Sequence, residues 1–336
     1  VPAPLAPARR AAGLLVAAVA LGTLCLLSLW VGSRHIPIAT TWHLLWQPDG
    51  STEAVIVHGV RLPRTVLAVA VGAALGLSGA LMQAITRNPL ADPGLLGVNM
   101  GAATAVVVAI AFLRITAVAG FVWFAFAGAA LATLLVYALG SAGRSGATPE
   151  RLVLAGASVT AALGAFNMAV LLLDPAAFNR FRFWDVGSLA GRRMDIVLAV
   201  GPFLLVGILL ALGLARSLNA LGLGDDAGRA LGAHLGRTRV LGAVAVTLLC
   251  GAATAAAGPI GFVGLTVPHV ARMIVGPDQR WVLGYSMVLA PVLLLGADLI
   301  GRVATAPGEL QVGIVTALLG GPVFLALCRR RKLARL

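Results

Sequence analysis

The chain has 336 residues, 60% of them hydrophobic and 11% charged, with 25 Lys+Arg against 12 Asp+Glu and a formal net charge of +13. Soluble domains carry roughly a quarter charged residues, so a water-facing surface of ordinary size is excluded, and a mean hydropathy of +0.98 points to lipid as the solvent. The positive excess does not indicate nucleic acid, because no basic run is interleaved with aromatics as a nucleic-acid groove would be.

Basic residues instead gather at the two ends (Arg9 and Arg10; Arg329, Arg330, Arg331, Lys332 and Arg335) and in alternate loops (Arg87; Arg144 and Arg151; Arg216, Arg229, Arg237 and Arg239). An excess of Lys and Arg marks cytoplasmic loops, so both termini are expected in the cytoplasm and the number of spans is expected to be even. A helix crosses a bilayer with about 20 apolar residues. Apolar runs between breakers and charges predict about ten such helices, near 11–31, 61–84, 94–113, 119–140, 150–172, 194–215, 239–257, 259–276, 281–303 and 312–328.

The first run is read as a retained span rather than a signal peptide, and His35, His43 and His58 fall in the outer loop after it. The second contains "GLSG" (76–79), the form seen in intramembrane serine proteases. Such a serine needs a base within hydrogen-bond reach, and His269 is the only histidine well inside an apolar run. Between the second and third runs, "RNPLADPGLLGVNMGAA" (87–103) concentrates prolines and glycines, both poor choices within a helix. Two loops are longer and more polar: 174–193 on the outer side, and 216–239 on the cytoplasmic side. In the second, residues 217–236 mix leucines with Asp225, Asp226, Arg229 and His234. They read either as a short amphipathic helix that docks into a partner's groove or as a loop packed on its own bundle. The eighth run holds Gly258, Pro259, Pro268 and His269, so it is expected to be broken or tilted, which a membrane tolerates where protein or a water-filled cavity receives the freed backbone. Cys25, Cys250 and Cys328 lie far apart in apolar runs and are expected to be packing residues, not a disulfide framework or a metal site.

Three function classes remain. A phosphate-binding loop needs a Gly-rich stretch ending in Lys-Ser or Lys-Thr, and the only lysine is Lys332. Any nucleotide chemistry therefore belongs to a partner. An ion-coupled secondary transporter usually carries carboxylates at mid-membrane depth. Here only Asp298 lies well within a run, and Arg302 follows on the same helical face, a neutralising i,i+4 pair. Secondary transport stays as the alternative, and an intramembrane serine protease as a remote one.

Several separated stretches resemble one family. "RLPRTVLAVAVGAALGLSGALMQAITRNPLADPGLLGVNMGAA" (61–103), "FWDVGSLAG" (183–191), "LGLGDDAGRALG" (221–232), "GPIGFVGLTVPHVARMIVGPDQR" (258–280), "GADLIGR" (296–302) and "GELQVGIVTALLGGPVF" (308–324) look like the permeases of FecCD type. These belong to type II ABC importers for ferric siderophores, heme and cobalamin. The resemblance implies an all-α, polytopic membrane protein over 1–336, a single permease domain with a cytoplasmic coupling segment at 217–234. It implies a second permease copy or paralogue, two ABC ATPase subunits, and a periplasmic or lipid-anchored binding protein in the bacterial plasma membrane. No cofactor and no nucleic acid are expected, and the chain itself is expected not to be an enzyme. By the same resemblance Asn88, Pro89 and Leu90, with Thr148 and Pro149, match inner gate elements, and Arg61 and Arg302 match outer-face arginines that meet carboxylates on the binding protein. Arg61 also reads as a lipid-headgroup anchor, and Arg302 as the partner of Asp298. Leu221, Gly222, Asp225, Arg229, Leu231 and Gly232 match the segment that contacts the ATPase. Gln279 and Gln311 depart from the family pattern, where histidine and proline are common, and are expected to bear on substrate class more than on function. A ferric siderophore is the expected cargo, with heme and cobalamin behind it.

Overall fold

The structure, a computed structural model, describes residues 7–32, 34, 36–115, 118–142, 149–230, 232, 234–305 and 308–329. Its regular secondary structure among these residues is helical. The α-helices are α1 (Pro7–Trp30), α2 (Ile38–Trp46), α3 (Thr52–Ile56), α4 (Leu62–Thr86), α5 (Val98–Ala111), α6 (Val118–Ser141), α7 (Pro149–Leu173), α8 (Pro175–Asp185), α9 (Met194–Gly213), α10 (Ala215–Gly222), α11 (Asp225–Ala230), α12 (Leu235–Ala257), α13 (Val263–Val275), α14 (Gln279–Ala304) and α15 (Val312–Arg329). Among the described residues, seven helical stretches are long and apolar enough to cross a membrane, and α5, α13 and α15 supply three shorter apolar segments. Each of the ten expected runs therefore falls on a helix.

Two of the shifts from the expected boundaries have a visible physical reason. The second run begins earlier, because a π turn at Val57–Arg61 joins α3 to α4 in one helical stretch from Thr52, where Ser51 Oγ accepts the Ala54 amide at 3.1 Å as its N-cap. The eighth begins later, at Val263. The backbone of 258–262 is not helical, and the end of α12 is tied instead to the 186–193 loop, where the Ser188 amide donates to Ala257 O at 2.7 Å. That loop also meets the start of α15, through the Gly313 amide and Gly187 O at 3.1 Å.

The centre of the bundle is α4. Leu67, Ala68, Val71, Ala74, Leu77 and Ala80 on it are fully buried, and it packs on α14, α12, α13 and α9. Its stripe of small residues makes this possible. A Cβ on Gly72 would stand 2.7 Å from Pro291 N, one on Gly76 2.4 Å from Ser286 O, and one on Gly79 1.9 Å from Gly264 O. Apolar tails in lipid provide no hydrophobic drive between helices, so such close backbone approach and the van der Waals contact it brings hold the pairs together. By contrast α1, α7 and α9 turn Leu15, Leu154, Leu172, Leu198 and Leu205 outward.

Successive passes alternate in direction. Ties between helix ends identify one end of the bundle by Trp30, Arg61 and Arg302 (the arginine-network end) and the other by Arg10, Arg87, Asp225 and Asp278 (the Asp225 end). Ten alternating passes bring the start of α1 and the finish of α15 toward the Asp225 end.

Candidate functional site

Three groups of polar residues lie on this frame. At the arginine-network end, Asp298 of α14 accepts from Arg64 of α4, at 3.1 Å from Nε and 2.8 Å from Nη2, and from Arg302 one turn further along its own helix. Arg64 also donates to Glu309 at 2.7 Å. The Arg302 guanidinium reaches Ser28 O at 2.9 Å and Val31 O at 3.1 Å, while Ser28 and Thr65 share a 2.8 Å hydrogen bond. Arg61 donates to Leu29 O at 2.9 Å, Trp30 O at 2.7 Å and Arg34 O at 2.5 Å.

The two arginines expected to face a binding protein thus do something else in this structure. Each is 4% exposed, and both satisfy carbonyls at the C-terminal end of α1 that the helix leaves without partners. Arg302 also donates to Ser28 Oγ and Asp298, and its Nε is buried without a partner among the described residues. The expected Asp298–Arg302 pair is present, but Asp298 serves two guanidiniums rather than one. Arg64 carried no local signal, because its partner lies 234 residues away.

The second group is the turn that joins α4 to α5. The Arg87 amide bonds Ala84 O at 3.4 Å and the Asn88 amide bonds Gln83 O at 3.2 Å, the paired closure of a Schellman motif. Asn88 Oδ1 then accepts the Leu90 amide at 2.9 Å. Asp92 caps a 3₁₀ turn over Pro93–Leu96 by accepting from the Gly94 amide at 2.8 Å, and burial pushes its carboxyl above the usual range. Gly97, at φ 73°, makes the left-handed step into α5. The breakers therefore build a hydrogen-bonded link of non-helical backbone at 88–92 and one 3₁₀ turn. Asn88 lines a cleft of about 580 Å³ with Thr86 and with Glu150, Val153, Leu154 and Ala157 of α7. Pro149 opens α7 at this end, and Thr148 lies outside the described residues.

The third group is the segment between α9 and α12. It forms two short helices, α10 and α11, hinged at Gly224 (φ 105°). Leu218 and Leu221 are buried against the bundle, whereas Leu223 is 63% exposed. One face of this stretch thus packs on the bundle, as the second reading expects, and the other is exposed. Leu221, expected at a partner contact, is on the inward face with no exposed surface. Gly222, Arg229 and Gly232 are exposed, and Leu231 lies outside the described residues. Asp225 accepts from Arg239 of α12 at 2.9 and 3.0 Å and from Arg87. Burial alone would raise its carboxyl, but the hydrogen bonds and charges of Arg239 and Arg87 outweigh this and hold it below the usual range. Asn219 bridges to α14, donating to Asp278 and accepting the Gln279 amide, both at 2.8 Å. Gln279 is thus buried beside α10, at the opposite end from the Arg64–Asp298 network.

Among the described residues, Ser78 is not hydrogen-bonded to a histidine. Ser78 is fully buried and donates to Leu75 O at 3.1 Å in its own helix, and Gly76 and Gly79 are packing contacts. His58 bonds Leu44 O at 2.8 Å, and His43 lies on α2. Cys250 is buried beside Asn99 and Thr254, and Cys25 is half-buried.

Comparison with known proteins matches this arrangement. A model of the FecCD transport family matches residues 19–330. The chain is 45% identical over 305 residues to the ferric enterobactin transport system permease protein FepD of Escherichia coli strain K12, covering 91% of each chain. It is 37% identical over 316 residues to the hemin transport system permease protein HmuU of Yersinia pestis, covering 91% of this chain and 93% of that one. It also superposes on an inward-facing metal-chelate type ABC transporter with a TM-score of 0.81 at 27% identity, covering 94% of this chain and 98% of that one. With a family match running through all ten passes and the same bundle in a solved relative, this chain belongs to the FecCD transport family of membrane permeases.

Proposed function

We propose that the chain forms, with a second copy or a paralogue, the path by which a ferric siderophore or related iron chelate enters through the bacterial plasma membrane. The chain is the permease subunit of an ABC importer, and ATP hydrolysis belongs to separate subunits. The observation that carries the choice of cargo is the 45% identity, over nine-tenths of both chains, to a permease named for ferric enterobactin. Asn88, Pro89 and Leu90 in the turn after α4, with Thr148 and Pro149 before α7, narrow the inner end of the path. The cleft between Asn88 and α7 supports this, because it puts non-helical backbone beside a groove, where a membrane protein can accommodate it.

The Asp225 end faces the cytoplasm, with both termini on that side. Two ATPase subunits press on α10 and α11 through exposed Leu223 and Arg229, with Gly222 and Gly232 beside them. A periplasmic or lipid-anchored binding protein settles on the arginine-network end. Arg61 and Arg302 contribute there by fixing the end of α1 beneath the docking face. The test is reconstitution in liposomes. With ATPase subunits and binding protein present, iron-55-labelled ferric siderophore should accumulate only when ATP is supplied, and the permease alone should neither hydrolyse ATP nor transport. Accumulation driven by a proton or sodium gradient without the ATPase would overturn this assignment.

A further inference from the structure

Arg87 occupies an unusual backbone position for its residue type. It stands at φ 50°, ψ 32° as the left-handed cap of α4, a conformation costly for any residue with a Cβ and usually filled by glycine. A side chain kept there invites the question of what it holds. Its guanidinium leaves its own turn. Nε donates to Leu221 O at 2.9 Å, the last buried residue of α10, and Nη2 pairs with Asp225 at the first residue of α11. Both bonds lead from the α4–α5 turn to the hinge between the two short helices, more than 130 residues further along the chain. Asp225 is also held by Arg239 of α12. On its other side the same segment is tied to α14 through Asn219.

We propose that the Arg87–Asp225 pair, steadied by Arg239, is the linkage through which movement of α10–α11 is carried to the turn at 87–97, making both residues positioning residues for gating. The inference rests on the reading of α10–α11 as the ATPase-facing segment. Three features suit the pair to this work. Arg87 is followed directly by Asn88, Pro89 and Leu90, so a displaced guanidinium pulls on the cap from which those residues start. Two bonds from one planar fork fix direction as well as distance. Each side chain is about a third exposed, and a groove of about 560 Å³ lies between the end of α4 and residues 218–223, leaving the segment room to shift.

The experiment uses the complete importer in liposomes and reads substrate taken up per ATP hydrolysed, for the natural chain and for Asp225→Asn, Arg87→Gln and the double variant. Each single variant should lower the ratio about fivefold or more, the lower bound of a typical coupling between sites. The double variant should be no worse than the poorer single, because both remove the same linkage. A folding defect reduces the amount of active importer, and so lowers uptake and hydrolysis together, leaving the ratio unmoved. Arg87→Lys keeps the charge but cannot span Leu221 O and Asp225 as a fork, and it provides a reading if a neutral variant does not assemble. It should give an intermediate ratio. Unchanged ratios in the singles or in Arg87→Lys, or losses that multiply in the double, would overturn the linkage. Absence of ATP-dependent uptake by the natural importer would instead overturn the function proposed above.

Discussion

Asp298 is 1% exposed and is the shared acceptor for Arg64 and Arg302, themselves 6% and 4% exposed. Two guanidiniums around one carboxylate in a low-dielectric site are acceptable only while the carboxylate is present, since unpaired buried charge is costly. Asp298→Asn keeps the shape and removes the compensation. It should lower the stability of the purified permease by about 3–5 kcal/mol, measured as thermal unfolding in detergent against the natural chain. Glu309→Gln, at a carboxylate about a third exposed, should cost much less. Equal losses in the two variants would mean that burial does not decide the matter. Half of this network was legible in advance. A spacing of four puts Asp298 and Arg302 on one helical face, and periodicity detects that. Periodicity has no means of detecting Arg64 or the carbonyls at the end of α1, because those neighbours are created by packing of α1, α4 and α14. For the same reason Arg61 and Arg302 read as outward-facing charges although the fold turns them into caps.

At the scale of elements, α4 shows how a motif and a packing face can share residues. The run 76–79 has the form of a protease motif, yet the hydroxyl of Ser78 bonds its own helix and the flanking glycines touch neighbouring backbone. Two substitutions one residue apart separate these meanings. Ser78→Ala removes one intrahelical side-chain bond and should cost about 1 kcal/mol or less, with uptake by the assembled importer retained. Gly79→Leu places a branched side chain where even a Cβ would stand 1.9 Å from Gly264 O. It should force α4 and α13 apart and abolish the monodisperse peak of the permease on size-exclusion chromatography in detergent. Loss of uptake in a well-folded Ser78→Ala would return the serine to consideration. The long apolar runs were legible because length and hydropathy are properties of single segments. The helical content of 175–185 and 215–230 was less so, since helices this short are stabilised by caps and by the bundle beneath them. Likewise, Gly258 and Pro259 made a break after α12 legible, but the bond from the Ser188 amide to Ala257 O that ties that end to the 186–193 loop is a contact no local window contains.

For the whole molecule, the remaining question is which way the bundle sits in the membrane, and charge provides the argument. At the arginine-network end, Arg34, Arg64, Arg114 and Arg302 each meet a carboxylate within the chain, and the 174–193 stretch adds Arg180, Arg182, Arg192 and Arg193 against Asp174 and Asp185. The Asp225 end carries Arg87, Arg216, Arg229, Arg237, Arg239 and Arg280 against Asp225, Asp226 and Asp278, and the start of α1 and the finish of α15 add Arg9, Arg10 and Arg329 with no carboxylate near them in sequence. The side richer in uncompensated Lys and Arg is retained in the cytoplasm. On this rule α10–α11 are expected inside and α2 outside. Single cysteines can test the assignment in a background with Cys25, Cys250 and Cys328 replaced by alanine. Both Gln47, after α2, and Asp226, on α11, are exposed. In intact spheroplasts a membrane-impermeant thiol reagent should label Gln47→Cys and spare Asp226→Cys. In inside-out vesicles the pattern should reverse. Labelling of Asp226→Cys in intact spheroplasts would put the proposed ATPase-facing segment on the wrong side of the membrane, and the drive from α10–α11 to the turn after α4 would then have no source.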